Sequence, residues 1–217
     1  MQIPEPTLSF EPDCRRCPRL AAFLGEVRLQ HPGYHAAPVP PFGDPRARLL
    51  IVGLAPGLHG ANASGRPFTG DYAGILLYRT LHAHGFASAP ASTAADDDLV
   101  LDGCRITNAV KCVPPQNKPT TAEVNACNGF LRLELGRLPS RPVILALGAI
   151  AHRAVLRALD RKLSSHPFAH GAEHALGAEG ILLDSYHCSR YNTQTRRLTE
   201  AMFDAVLLRA RTLLEAP

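Results

Sequence analysis

Along the chain, short and wholly apolar runs alternate with longer segments of helical periodicity. Residues 48–53 (RLLIVG), 104–110 (CRITNAV), 142–147 (PVILAL) and 181–186 (ILLDSY) are β-branched or leucine-rich and are followed by turn residues. That is the pattern of strands buried on both faces. Residues 74–84, 122–138, 149–159 and 199–214 instead follow a helical pattern. The second of these helices follows Thr120 and Thr121, either of which can cap it, and has Glu123 in its first turn. The resulting β-α-β-α-β-α-β-α order predicts an α/β fold, a parallel sheet with helices on both faces. Residues 87–98 and 164–180 read as loops. The second carries His166, His170 and His174 at helical spacing, but Pro167 and Gly171 oppose any helix that would align them. It is therefore read as a solvated, histidine-containing loop and not as a metal site.

Ligands of an open parallel sheet bind outside the carboxyl ends of its strands. This rule selects residues 53–71, 108–118, 148–152 and 187–192. The first segment, GLAPGLHGANASGRPFTGD, holds neither GxGxxG nor GxxxxGK[ST], so a dinucleotide or P-loop site has no support. Its five glycines let a ligand approach the backbone. Phe68 offers a stacking face, and Asp71 a carboxylate that serves equally as a helix cap. His187 leaves the last strand at its carboxyl end. It reads either as a structural histidine or, beside the glycine-rich loop and Asp71, as an acid or electrostatic stabiliser.

A length of 217 residues with 46% hydrophobic content suits a single domain over 1–217 with its own core. The longest apolar run, 143–151, is far short of the roughly 18 residues that a membrane span needs. Residues 1–11 show no basic and apolar leader pattern. A cytoplasmic monomer without a membrane partner is expected. The net charge of +4 leaves the partner open, although all but three of the 23 basic residues are arginines, which suit bidentate phosphate contacts. Six cysteines in such a chain read as metal ligands or buried thiols. Cys14 and Cys17 form C-x2-C, whereas Cys112 and Cys127 stand apart. A zinc site usually draws on two close pairs, and a [4Fe-4S] cluster takes four thiolates from wherever the fold delivers them. Spacing alone leaves both open, with Cys104 and Cys188 fitting less well.

Together, GLAPGLHGANASGRPFTGD, NAVKCVPPQNKP and YHCSRYNTQT make the chain resemble the uracil-DNA glycosylase superfamily, specifically its iron–sulfur family 5, from Cys14 to about Arg197. The resemblance implies a three-layer α/β/α sandwich around a four-stranded parallel sheet. It implies a [4Fe-4S] cluster on Cys14, Cys17, Cys112 and Cys127, with Cys104 and Cys188 as bystanders. It also implies DNA containing uracil or other deaminated bases, such as hypoxanthine and xanthine, as substrate, with base flipping and an abasic product. Asp71, Asn117 and His187 match catalytic positions. Gly53, His59, Phe68 and Asn108 are assigned to the base, with Phe68 as the stacking ring and Asn108 facing the base edge. Arg190, Tyr191 and Asn192 are assigned to DNA, Tyr191 as the side chain that enters the duplex. Leu54 and Ala55 replace the polar water-handling residues of other branches, as family 5 does. Ala63 and Ser64 depart from the Arg and Thr often found there, and Cys188 and Arg190 from prolines common in other branches. The rival readings are a non-catalytic zinc or iron–sulfur nucleic-acid-binding module and a redox enzyme. The redox reading lacks any flavin or nicotinamide fingerprint.

Overall fold

The computed structural model describes residues 11–215, so most of the segment read as lacking a leader lies outside the described residues. Six strands form one sheet: β1 (Phe42–Gly43), β2 (Leu49–Gly53), β3 (Cys104–Asn108), β4 (Val143–Leu147), β5 (Glu173–Ala175) and β6 (Ile181–Ser185), in the order β1-β3-β2-β4-β6-β5. The four inner strands are the predicted ones and are mutually parallel. The short outer strands β1 and β5 are antiparallel additions that the sequence pattern did not show. Two or three residues with no period are too few to carry a strand signal.

Every residue of β2 and β4 is buried, as continuous apolar runs require when helices cover both faces. Alternate side chains feed opposite layers. Leu49, Ile51, Ile106 and Leu145 pack with α3 (Tyr72–Ala83) and α7 (Glu200–Glu215). Leu50, Val52, Ile144 and Ala146 pack with α1 (Pro18–Gln30), α4 (Thr121–Leu135) and α5 (Ala149–Ala158). The expected three-layer α/β/α sandwich is therefore present. Helix α4 starts in a capping box: Thr120 accepts from the Glu123 N–H, and the Glu123 carboxylate accepts from the Thr120 N–H. Two further short helices, α2 (Ala61–Ser64) and α6 (Arg190–Gln194), lie in the segments that follow β2 and β6.

The loop reading of residues 164–180 needs correction. His174 lies on β5, paired with Leu182 of β6, and His166 ends a short 3-10 turn over Leu163–Ser165. A sheet edge, which spacing along a helix could not reveal, brings His166 and His174 to ring centroids 5.5 Å apart.

Candidate active site

The register of the sheet places Gly53 opposite Asn108 at the carboxyl ends of β2 and β3. The parallel strands run in the order second, first, third, fourth, which puts a switch of direction beside β2, where a crevice is expected. A cavity of about 450 Å³ opens there. Its wall includes Leu54, Phe68, Asp71, Asn108, Asn117, Gly148 and His187. Every parallel strand thus contributes a residue at or just beyond its carboxyl end.

Glycine makes the close packing under this cavity possible. A Cβ on Gly53 would lie 2.4 Å from Asn108 Oδ1 and 2.7 Å from Phe68 Cζ. One on Gly74 would strike the Phe68 carbonyl oxygen at 1.8 Å. Phe68 itself sits at φ +57°, an outlying conformation for a bulky residue. Its ring lies 5.9 Å from that of His187, with planes 27° apart. Asp71 performs both roles left open by the sequence: its Oδ1 accepts from the Gly74 N–H at 2.8 Å to cap α3, and its side chain lines the cavity. Burial pushes its carboxyl above the ordinary aspartate range, against the opposing pull of backbone hydrogen bonds.

His187 is a half-buried imidazole in the cavity wall. Burial lowers its pKa to about 4, so it is neutral at physiological pH. Its buried Nδ1 and the buried Oδ1 of Asn108 have no hydrogen-bond partner among the described residues. An unpartnered buried polar atom costs about 1–3 kcal/mol, and both of these belong to residues that line the cavity.

Behind Asn108 lies a group absent from the sequence reading. Lys111 Nζ, fully buried, donates to the Asn108 carbonyl at 3.0 Å, to Glu134 Oε1 at 2.6 Å and to Thr107 Oγ1. The only sequence signal for this internal ion pair was a lone lysine between apolar neighbours.

The remaining assigned residues occupy the rim or lie beyond it. Asn117, at φ +56° in the turn Pro115–Asn117, reaches the cavity from the loop after β3. Arg190 lines the cavity and stands 5.7 Å over the ring of Tyr72, an exposed neighbour that the sequence did not single out. Tyr191 is 70% exposed in the first turn of α6. Asn192 commits its side-chain amide to the His187 carbonyl at 2.8 Å, fixing the loop on which that histidine sits. His59 is not part of the cavity wall; it bonds Tyr34 Oη through Nδ1 at 2.9 Å, and Tyr34 stacks on His31.

The cysteines separate by layer. Cys14, Cys17, Cys112 and Cys127 line a second, small cavity where the start of α1 meets the loop after β3 and α4. Cys104 and Cys188 are buried in the core on the opposite side of the sheet. Burial, together with Cys127, Cys14 and Cys17, pushes the Cys112 thiol up to about 12. The Lys111 N–H donates to Cys127 Sγ at 3.3 Å.

Similarity to known proteins agrees with this geometry. The family model of the uracil DNA glycosylase superfamily matches residues 40–211. The chain belongs to the uracil-DNA glycosylase superfamily, in its type-5 branch. It is 51% identical over 205 residues to the type-5 uracil-DNA glycosylase of Thermus thermophilus, covering 92% of this chain and 93% of that one. It is 42% identical to the type-5 uracil-DNA glycosylase of Pyrobaculum aerophilum, over 91% and 88% of the two chains. A type-4 uracil-DNA glycosylase from the same archaeon is 35% identical over 59% of this chain and 58% of its own. Within this superfamily member, the region matched by the family model holds the whole cavity wall and leaves the C-x2-C pair outside.

Proposed function

We propose that this chain hydrolyses the N-glycosidic bond of uracil in DNA, leaving an abasic site. The carrying observation is the pair of buried, unpartnered atoms, Asn108 Oδ1 and His187 Nδ1, in one cavity beside the ring of Phe68. The edge of uracil offers an N–H donor for the asparagine oxygen and carbonyl oxygens for an imidazole N–H. A base stacked in a duplex cannot enter such a cavity, so the nucleotide is flipped out at a cost of a few kcal/mol. Stacking on Phe68 returns about 1–3 kcal/mol.

Bond cleavage builds negative charge on the departing base and positive charge on the sugar. His187, neutral by burial, acts as a hydrogen-bond donor to the leaving base, a type of contact worth about 3–4 kcal/mol in the transition state. Asp71 orients the attacking water, and Asn117 offers that water a second polar partner. Arg190 grips a phosphate, and Tyr191 enters the space that the base has left. Asn192 keeps the His187 loop in place.

The four clustered cysteines suit a [4Fe-4S] cluster better than a zinc ion. Zinc usually draws on two close pairs, whereas here one C-x2-C pair is joined by two cysteines distant in sequence, all four lining one small cavity. When bound, the cluster supplies iron–thiolate bonds that clip α1 to the segment carrying Asn117; the wall residues carry out the excision.

The substrate range extends to hypoxanthine and xanthine, since a cavity of about 450 Å³ leaves room for a purine. Oligonucleotides carrying one uracil, hypoxanthine or xanthine, followed by alkali, test both statements. Alkali-labile sites at all three are expected. None at uracil overturns the activity, and cleavage at uracil alone overturns the wider range.

A further inference from the structure

On the far side of β6 from β2, two histidines and an aspartate converge away from the active-site cavity. His152 in α5 places Nδ1 2.8 Å from Asp184 Oδ1, and His174 on β5 places Nε2 3.1 Å from Asp184 Oδ2. The three donor atoms all lie within 4.8 Å of one another. Asp184 and His152 are fully buried, and only 10% of the His174 side chain is exposed. His152 Nε2 lies 2.9 Å from the carbonyl oxygen of His166, which can only accept, so this nitrogen carries a hydrogen. In a neutral ring, Nδ1 is then a bare lone pair facing a carboxylate oxygen. Two acceptors at 2.8 Å need a proton shared between them or a metal cation in its place.

We infer that His152 Nδ1, His174 Nε2 and Asp184 form a binding site for a zinc-class divalent cation, separate from the cysteine cavity. A second ring nitrogen held by a backbone carbonyl is the usual support of a metal-bound histidine. Tetrahedral zinc with bonds of about 2.0–2.1 Å separates its donors by about 3.3 Å. The 2.8 and 3.1 Å contacts run to different oxygens of Asp184, and the donor set as a whole already lies within 4.8 Å, so small side-chain shifts bring it to this spacing. Three protein ligands leave a fourth position for water on the His174 side, where the site meets solvent. Bound there, the metal ties α5, β5 and β6 together just before β6 gives way to the His187 loop.

The test is zinc added to the purified, iron-loaded chain, with bound zinc and retained iron both measured per chain. One zinc per chain with iron unchanged is expected, together with a rise in melting temperature. His174→Ala and Asp184→Asn are expected to weaken zinc binding at least 100-fold. His174→Ala leaves the buried His152–Asp184 pair intact, so it remains informative if Asp184→Asn does not fold. Cobalt substituted for zinc should give ligand-field bands without thiolate charge transfer. Zinc that displaces iron, that binds both variants as tightly as the parent chain, or that does not bind above background would overturn the site. In the last case a proton alone occupies the pair. None of these readings depends on glycosylase activity.

Discussion

His187 carries the clearest electrostatic signature in the molecule. Desolvation keeps its imidazole neutral down to about pH 4, whereas an unfolded histidine takes up its proton near pH 6.5. The unfolded state therefore binds more protons between these two values, and this contribution to stability is lost as pH falls from 6.5 towards 4. Replacing His187 by Gln should remove that part of the loss, seen as a smaller drop in the urea midpoint between pH 7 and pH 5. In the proposed mechanism the same neutrality governs the rate. Excision should show no inflection near pH 6.5, and a rate that climbs as pH falls through that value would mean that an imidazolium does the work. Gly53 offers a steric counterpart. Gly53→Ala pushes a methyl group into Asn108 and Phe68, which should cost about 1–3 kcal/mol of stability. Its excision rate should fall further than that loss of folded protein explains, read by comparing urea denaturation with single-turnover kinetics.

At the level of elements, the sheet sorts the cysteines. Cys112→Ala and Cys127→Ala should abolish iron binding, while Cys104→Ala, on the other side of the sheet, should retain it; iron per chain decides. The inner strands and helices α3, α4, α5 and α7 were legible in the sequence because burial on both faces leaves unbroken apolar runs and those helices keep their period, whereas α1 was not singled out. The edge strands were not legible, being too short for any period, and so β5 passed for a loop and its His174 for a solvated residue. Phe68, Asp71, Asn108 and His187 could be named because each sits at or beyond the end of a strand within a distinctive motif. Lys111 could not, because its role depends on Glu134 from a different helix. Nor could any spacing rule show that His59 turns towards Tyr34. Helix α6 presents Tyr191 to solvent on a base fixed by Ser189 and Asn192. If its ring fills the gap left by a flipped base, Tyr191→Ala should slow excision from a uracil–adenine pair more than from single-stranded DNA. Equal slowing on both substrates would make it a support of the cavity.

At one sheet end the molecule places two cavities: a small one lined by four cysteines where α1 meets the loop after β3, and one of about 450 Å³ bounded by the same loop. Lys111 lies between them, with its backbone on Cys127 and its side chain on Asn108. On the proposed reading this arrangement separates holding from cutting: Asp71 and His187 act within the cavity, while Arg190 at its wall and exposed Tyr191 beyond it engage the DNA. The direct measurement is single-turnover excision from a uracil-containing duplex, beside DNA affinity, for the parent chain, Asp71→Ala and His187→Ala. The parent should release uracil. Each variant should lose at least about 100-fold in rate, the scale of a removed transition-state donor or acid–base group, with DNA affinity within a few-fold of the parent. Rates unchanged in both variants, or affinity falling in step with rate, would contradict a catalytic role for this cavity.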